Sequence, residues 1–152
     1  MTQTLTGGCL CGAIRYTVSV PITELRACHC RDCQKSSGAS GSVNALIPRS
    51  ALDITQGTPK RYVVTADSGR TLYRYFCGDC GSPIYGQRAT TPETVVLRIG
   101  TLDNPGDMKI TANIWTRSAR PWAYIDPSSA RADRCQPDPN LLRCRRPASN
   151  IQ

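Results

Sequence analysis

Residues 28–33 of this 152-residue chain read Cys-His-Cys-Arg-Asp-Cys, and this stretch decides how the other cysteines are interpreted. Three cysteines within six residues are more than ordinary core packing requires. Thiolates at this spacing can converge on one metal ion, and zinc is the usual tetrahedral metal for such ligands. Three protein ligands leave a fourth position for water or substrate, so Cys28, Cys30 and Cys33 predict a catalytic zinc site.

Four further cysteines form two pairs on turns flanked by glycine. Residues 7–12 read Gly-Gly-Cys-Leu-Cys-Gly, and residues 77–81 read Cys-Gly-Asp-Cys-Gly. Together Cys9, Cys11, Cys77 and Cys80 complete a four-thiolate tetrahedron, which is the closed arrangement of a structural zinc. The predicted cofactor content is therefore two zinc ions per chain, one structural and one catalytic. Cys135 and Cys144 lie outside both motifs and are interpreted as incidental thiols.

Two alternatives to this division stay open at the sequence level. The two pairs could be buried free thiols, and the triplet could be a second structural zinc completed by His29 or by a distant Asp. Adjacent side chains on an extended turn tend to point apart, so His29 is not expected to bind the ion shared by Cys28 and Cys30. His29 is also the only histidine of the chain, which disfavours hydrolysis by a Ser-His-Asp or Cys-His triad.

The formal charge of +8 treats every cysteine as neutral. Filled four-thiolate and three-thiolate zinc sites would carry −2 and −1 and reduce the balance to about +5. The segment from Arg131 onward holds five Arg and two Asp, so much of the remaining positive charge lies outside the predicted core. The basic composition therefore gives only weak support for nucleic-acid binding, and a small anionic substrate is compatible with it.

The hydrophobic pattern predicts an all-β fold. Residues 13–20 alternate between apolar and polar side chains, as expected of a half-buried strand. Further strands are predicted at residues 43–47, 52–55, 94–99 and 110–116, with a hairpin formed by residues 60–65 and 70–76. Any helix is expected to be short, following Cys30 or Pro48. Residues 1–126 are predicted to form one domain and residues 127–152 a basic, loosely ordered tail.

The sequence shows no secretory signal and no apolar stretch approaching the roughly 20 residues that span a bilayer. We therefore expect a cytoplasmic protein without a membrane partner. In that reducing compartment, clustered cysteines are typical of metal ligands and not of disulfides.

The motifs together resemble those of the glutathione-dependent formaldehyde-activating enzyme family, which also includes centromere protein V. The resemblance covers roughly residues 5 to 126 and rests on several motifs in order: Gly-Cys-x-Cys-Gly at 8–12, Cys-His-Cys-x-x-Cys at 28–33 with Ser-Gly-Ala at 37–39, Phe-Cys-x-x-Cys-Gly-Ser-Pro at 76–83, Gly-x-Leu-Asp at 100–103 and Pro-Trp at 121–122. The chain departs from the family where Gln34 and Lys35 replace a frequent Arg, and where Asn113 replaces a frequent His. The resemblance implies an all-β fold, the β-tent, of two or more small antiparallel sheets. It also implies a structural zinc on Cys9, Cys11, Cys77 and Cys80 and a catalytic zinc on Cys28, Cys30 and Cys33.

The implied activity is that of a carbon–sulfur lyase, an S-(hydroxymethyl)glutathione synthase-like enzyme that adds a thiol such as glutathione to an aldehyde such as formaldehyde. An open zinc would favour the thiolate form of the substrate thiol. Arg31, Lys35 or Arg98 could hold a peptide carboxylate, the amides of residues 36–38 could donate hydrogen bonds, and His29 could move a proton. The alternative hypothesis is a zinc-stabilised module that binds a protein or nucleic acid without catalysis.

Overall fold

The computed structural model describes residues 4–66 and 69–133 of the chain. They form two β-sheets and one short helix, so the prediction of an all-β fold is confirmed. The smaller sheet has three antiparallel strands in the order β1-β2-β5: β1 (Leu5–Gly8), β2 (Arg15–Val18) and β5 (Leu52–Gln56).

The larger sheet has eight strands in the order β11-β10-β3-β4-β9-β8-β7-β6. Its strands are β3 (Leu25–Cys28), β4 (Ser42–Pro48), β6 (Lys60–Thr65), β7 (Thr71–Phe76), β8 (Pro83–Arg88), β9 (Thr91–Arg98), β10 (Ile110–Ile114) and β11 (Ala130–Ala132). Most neighbours are antiparallel, but β10 runs parallel to both β3 and β11.

The core lies where the apolar faces of the two sheets meet. Tyr16 and Val18 come from β2, Val95 and Leu97 come from β9, and Ile84 comes from β8, all within one cluster of buried side chains. The alternation predicted for residues 13–20 is therefore correct for Tyr16 and Val18, which are 1% and 0% exposed. Burial of such side chains is the main favourable contribution to folding here.

Helical segments are short, as the sequence predicts. α1 (Arg31–Ser37) follows Cys30 directly and ends at Gly38, whose φ of 67° is the left-handed conformation that glycine adopts easily. Single 3₁₀ turns form at Arg49–Ala51, Ile99–Thr101 and Thr116–Ser118. No helix in the described part of the chain is long and apolar enough to cross a membrane.

The predicted strands are present, and the hairpin of residues 60–65 and 70–76 is found as the pair β6 and β7. Four strands were not predicted: β1, β3, β8 and β11. β8 carries Pro83 and Gly86, which weaken the strand signal, and β3 is short and ends in the cysteine motif.

The strand pairing continues past residue 126, because β11 adds to the edge of the larger sheet beside β10. β11 is a three-residue strand with no clear sequence signal of its own. Residues 134–152 of the predicted tail, which include Cys135 and Cys144, lie outside the described residues.

Candidate metal centres

The four-cysteine cluster joins two tight turns. Cys9 and Cys11 lie on the turn between β1 and β2, and Cys77 and Cys80 lie on the turn between β7 and β8. In each turn a glycine amide donates a hydrogen bond back to the first cysteine, from Gly12 to the Cys9 carbonyl at 3.1 Å and from Gly81 to the Cys77 carbonyl at 3.0 Å. Both glycines have positive φ, which allows these turns to close.

The four sulfur atoms lie within 4.8 Å of one another. The Sγ atoms of Cys9 and Cys11 are 3.6 Å apart, and those of Cys11 and Cys77 are 3.8 Å apart. A tetrahedral zinc with zinc–sulfur bonds of about 2.3 Å places its sulfurs about 3.8 Å apart, so this donor set fits zinc. The separations are far longer than the about 2.05 Å of a disulfide bond.

Hydrogen bonds to Cys9 and Cys80 favour the thiolate form of these two residues. The pKa of the Cys11 thiol is instead raised to about 12, because the opposing hydrogen bond from the Ala13 amide is outweighed by hydrogen bonding with Cys9 and Cys80. The Ile14 amide donates to Cys9 Sγ at 3.2 Å. The Ser82 hydroxyl lies 3.2 Å from Cys80 Sγ and, with the Ser82 amide, lowers the pKa of that thiol to about 5. Because zinc binds cysteine as the thiolate, these donors prepare the cluster for a cation.

The three-cysteine cluster is built by one strand end and one helix start. Cys28 ends β3, and Cys30 is the N-cap residue of α1. The Cys33 amide donates to Cys30 Sγ at 3.4 Å, so the first helical turn brings the third sulfur back to the first two. The Sγ atoms of Cys28 and Cys30 are 3.4 Å apart, and all three sulfurs lie within 4.8 Å of one another.

The three sulfurs cannot all be thiolates at this distance without a compensating positive charge. Hydrogen bonding with Cys30 and Cys33 raises the pKa of Cys28, while hydrogen bonding with Cys28 and Cys30 lowers the pKa of Cys33. A cation bound to the three sulfurs would favour the thiolate form of all of them. This donor set also fits zinc, with the three cysteines as the only His, Cys, Asp or Glu ligands in the group among residues 4–66 and 69–133.

A polar network supports Cys33 from the side of β4 and β9. Arg98 donates to the Ser42 hydroxyl and to Asn44 Oδ1, both at 2.6 Å, and Asn44 Nδ2 donates to the Ser42 hydroxyl at 3.0 Å. With both donors directed at its oxygen, Ser42 uses its own proton to hydrogen-bond Cys33 and lower the pKa of that thiol, and the Arg98 charge acts in the same direction.

His29 is turned into the protein and does not belong to the group of potential ligands. Its side chain is 4% exposed, and its Nε2 lies 2.9 Å from Asn113 Oδ1. Asn113 Nδ2 donates to Ser129 Oγ at 2.7 Å, and Ser129 Oγ donates to the Asp126 carbonyl at 2.7 Å. The direction of this chain of hydrogen bonds places the proton of the neutral His29 ring on Nε2. Nδ1 is then a buried acceptor with no hydrogen-bond partner in the part of the chain that the structure describes.

The side chain of Gln34 connects α1 to the backbone of neighbouring segments. Its side chain is 5% exposed, and Nε2 donates to the carbonyls of His29 at 2.7 Å and Ser118 at 2.9 Å. Its Oε1 accepts hydrogen bonds from the guanidinium groups of both Arg31 and Arg120. The strand β10 ends at Ile114, and the next residue, Trp115, has a φ of 60°, the only positive value for a non-glycine residue in the described chain.

The structure brings together both cysteine sets as the sequence divides them. Of the basic residues suggested for substrate binding, Arg31 and Arg98 contact residues of the three-cysteine site, whereas Lys35 is exposed on α1. Ser37 Oγ lies 2.8 Å from the carbonyl oxygens of both Cys33 and Gly41, and its single proton can be donated to either of them, which holds the loop after the helix close to α1.

Sequence reasoning assigned no role to Ser42, Asn44, Gln34, Asn113 or Arg120. Polar residues of this kind carry no signal until the fold makes them neighbours. The sequence distinguished Gln34 and Asn113 only as positions where the chain departs from the frequent residues of the family.

The model of the family described as "Glutathione-dependent formaldehyde-activating enzyme" matches residues 4–118, which include all seven cysteines of the two clusters. The chain belongs to this family. The match covers both sheets except β11, together with α1, so the family's sequence pattern and the observed fold coincide over most of the described residues.

Curated relatives carry the name "Putative glutathione-dependent formaldehyde-activating enzyme". The chain is 33% identical over 79 residues to one from Penicillium rubens, which covers 52% of this chain and 40% of that protein. It is 37% identical over 76 residues to one from Sordaria macrospora, which covers 50% of this chain and 31% of that protein. The chain thus matches about a third to two fifths of the length of these relatives.

One solved structure supports the fold of the family member. The crystal structure of a Rhodobacter sphaeroides protein superposes with a TM-score of 0.54 at 22% sequence identity. The superposition covers 67% of this chain and 91% of the other. At this identity the likeness concerns the fold alone.

Proposed function

We propose that the protein is a zinc-dependent enzyme that joins a thiol such as glutathione to an aldehyde such as formaldehyde. The observation that carries this proposal is the three-cysteine cluster, which offers one ligand fewer than zinc requires and lies in a shell of hydrogen-bond donors. Membership of the family supports glutathione and formaldehyde as the substrates.

The two clusters have different proposed roles. Cys9, Cys11, Cys77 and Cys80 would hold a structural zinc that ties the two turns together. Cys28, Cys30 and Cys33 would hold the catalytic zinc, which supplies a positive charge that favours the thiolate form of a bound thiol. The reaction forms one carbon–sulfur bond, removes the thiol proton and adds one proton to the carbonyl oxygen, so it requires no oxidant or reductant. In reverse it is a carbon–sulfur lyase reaction.

The residues around the cluster supply orientation and charge. Arg98, Asn44 and Ser42 keep Cys33 in position and stabilise its negative charge. Gln34 holds the α1 turn against the carbonyls of His29 and Ser118, so the three sulfurs keep a fixed arrangement when a substrate enters. Metal-ligating cysteines suit a reducing compartment, which supports a cytoplasmic location.

Metal content and thiol binding test the proposal. The full-length wild type is expected to contain two zinc ions by mass spectrometry, and Cys30→Ser one. Calorimetry is expected to detect glutathione binding to the wild type and none to Cys30→Ser, after which formaldehyde turnover is measured. Two zinc ions without thiol binding would contradict the enzyme proposal and favour a zinc-stabilised binding module.

A further inference from the structure

Three guanidinium groups near the three-cysteine cluster have no acidic partner among residues 4–66 and 69–133. Within the described residues, salt bridges to carboxylates involve Arg15, Arg26 and Arg74. By contrast, the hydrogen bonds of Arg31, Arg98 and Arg120 go to neutral amide or hydroxyl oxygens. Unpaired positive charges beside a candidate active site are suited to a negatively charged ligand.

Arg31 and Arg120 converge on a single atom, the Oε1 of Gln34. The Arg120 Nε lies 3.2 Å from this oxygen, and Arg31 Nη1 donates to it from one helical turn away. Gln34 cannot turn aside, because its side chain is buried and its amide nitrogen donates to two backbone carbonyls. It therefore holds two like charges close together, and an anion bound between them would relieve their repulsion.

The charge balance indicates which anion fits. Zinc on three thiolates would carry a net charge of −1, whereas the three guanidinium groups carry +3, so these groups together would have an excess of two positive charges. A simple alkyl thiolate would neutralise one of them. A ligand that carries a thiolate and one carboxylate would neutralise both.

We propose that Arg31 and Arg120 form a carboxylate-binding subsite that selects thiols bearing a carboxylate group. The inference rests on the proposed function, in which the substrate is a thiol. It adds that a second group of this substrate, a carboxylate away from the sulfur, is recognised by the protein. Arg120 lies beyond residues 4–118, so the family match assigns it no role. A planar guanidinium can offer two parallel hydrogen bonds to a carboxylate, which a lysine cannot do.

The test compares two thiols that differ in one carboxylate. The zinc-loaded full-length protein is titrated calorimetrically at low ionic strength with 3-mercaptopropionate and with 2-mercaptoethanol. We expect Arg120→Gln to weaken 3-mercaptopropionate binding about tenfold, as for a charge-assisted hydrogen bond that is partly exposed to water, and to leave 2-mercaptoethanol unchanged. Arg61→Gln is the matched control, because Arg61 is exposed on β6 and packs over Tyr73. It should alter neither titration.

An equal loss of affinity for both thiols in Arg120→Gln would contradict the proposed carboxylate subsite. It would instead assign Arg120 a structural role through Gln34. If Arg120→Gln does not fold, Arg31→Gln gives the same comparison at the same oxygen. If neither thiol binds the wild type, the proposed function fails separately. Glutarate then tests the subsite alone: binding lost in Arg120→Gln supports it, and binding that is absent or unaffected overturns it.

Discussion

The two cysteine clusters have the same kind of ligand but differ in how far apart these ligands lie in the sequence. The four-cysteine cluster joins turns that are distant in sequence, since its Cys11 and Cys77 are 66 residues apart. The three-cysteine cluster takes all its sulfurs from six consecutive residues. A metal in the first would cross-link two hairpins from different sheets, whereas a metal in the second would close only a strand end onto a helix start.

The two clusters also differ in the charge of the groups that surround them. Backbone amides and the Ser82 hydroxyl contact the four-cysteine cluster, and these groups belong to the turns that carry the cysteines. Around the three-cysteine cluster lie Arg31, Arg98 and Arg120 with the amide side chains of Gln34 and Asn44. The two clusters thus have the same kind of ligand but differ in the origin of their ligands along the chain and in the charge of their neighbours, and the proposed structural and catalytic roles rest on these differences.

The largest expected effect is the difference between losing one ligand in each cluster. Cys77→Ser is expected to unfold the domain or destabilise it by several kcal/mol, because structural zinc contributes directly to folding. Cys30→Ser is expected to leave a folded protein with one zinc fewer. Circular dichroism with thermal unfolding and metal analysis measures both. Equal loss of fold in the two variants would remove the distinction between the clusters.

Asn113 offers a test of the buried network behind the three-cysteine cluster. Asn113→Leu leaves His29 Nε2 and the Ser129 hydroxyl without their partner and is expected to lower the free energy of unfolding by about 1–3 kcal/mol. Because His29 is the only histidine, its ¹⁵N NMR signals are assigned without ambiguity. We expect the neutral form of the ring to carry its proton on Nε2 in the wild type, and to be a mixture of both tautomers in Asn113→Leu. A wild-type ring protonated at Nδ1 would contradict the direction of the hydrogen-bond chain.

A substitution at Gly41 can alter the geometry of the three-cysteine cluster without changing one of its ligands. A Cβ at this position would lie 2.5 Å from the Cys28 carbonyl oxygen, so Gly41→Ala must displace the backbone that presents Cys28. We expect a loss of about 1–3 kcal/mol in unfolding free energy and weaker retention of one zinc ion against a chelator. Gly100→Ala is the control, since its Cβ would meet no atom within 4 Å. Unchanged zinc retention in Gly41→Ala would show that the cluster tolerates movement of Cys28.

The smallest expected effect concerns the hairpin that carries Cys9 and Cys11. Arg15 and the Thr6 hydroxyl hydrogen-bond Asp103 and hold the pKa of its carboxyl below the usual value. A lowered pKa stabilises the fold above the unfolded value of about 3.9, and this contribution is lost as the pH falls through the lower folded value.

We therefore expect Asp103→Asn to be slightly less stable than the wild type to urea at neutral pH, and the difference to vanish in acid. Glu93→Gln, at an exposed position on β9, is the control for removing a carboxylate. A difference that grows in acid would contradict the ion pair as its origin.

Much of this molecule could be predicted from local patterns. The alternation through Tyr16 and Val18 predicts a half-buried strand because side chains on a strand point to opposite faces in turn. The spacing of the cysteines predicts which sulfurs can share an ion, because ligands a few residues apart on a tight turn have little freedom to separate. β1, β3, β8 and β11 were missed, since the prolines and glycines in β1 and β8 and the shortness of the other two strands give weak local signals.

The sequence by itself determined the all-β class, the division of seven cysteines into four and three, and the family. These properties depend on contacts within a turn or along a strand. Only the tertiary structure decided that Gln34 gathers Arg31 and Arg120, that Ser42 directs its proton to Cys33, and that Asn113 fixes His29. Those partners are up to 86 residues apart, as for Arg120 and Gln34, and their meeting depends on how the strands are ordered in the sheet, which no local pattern encodes.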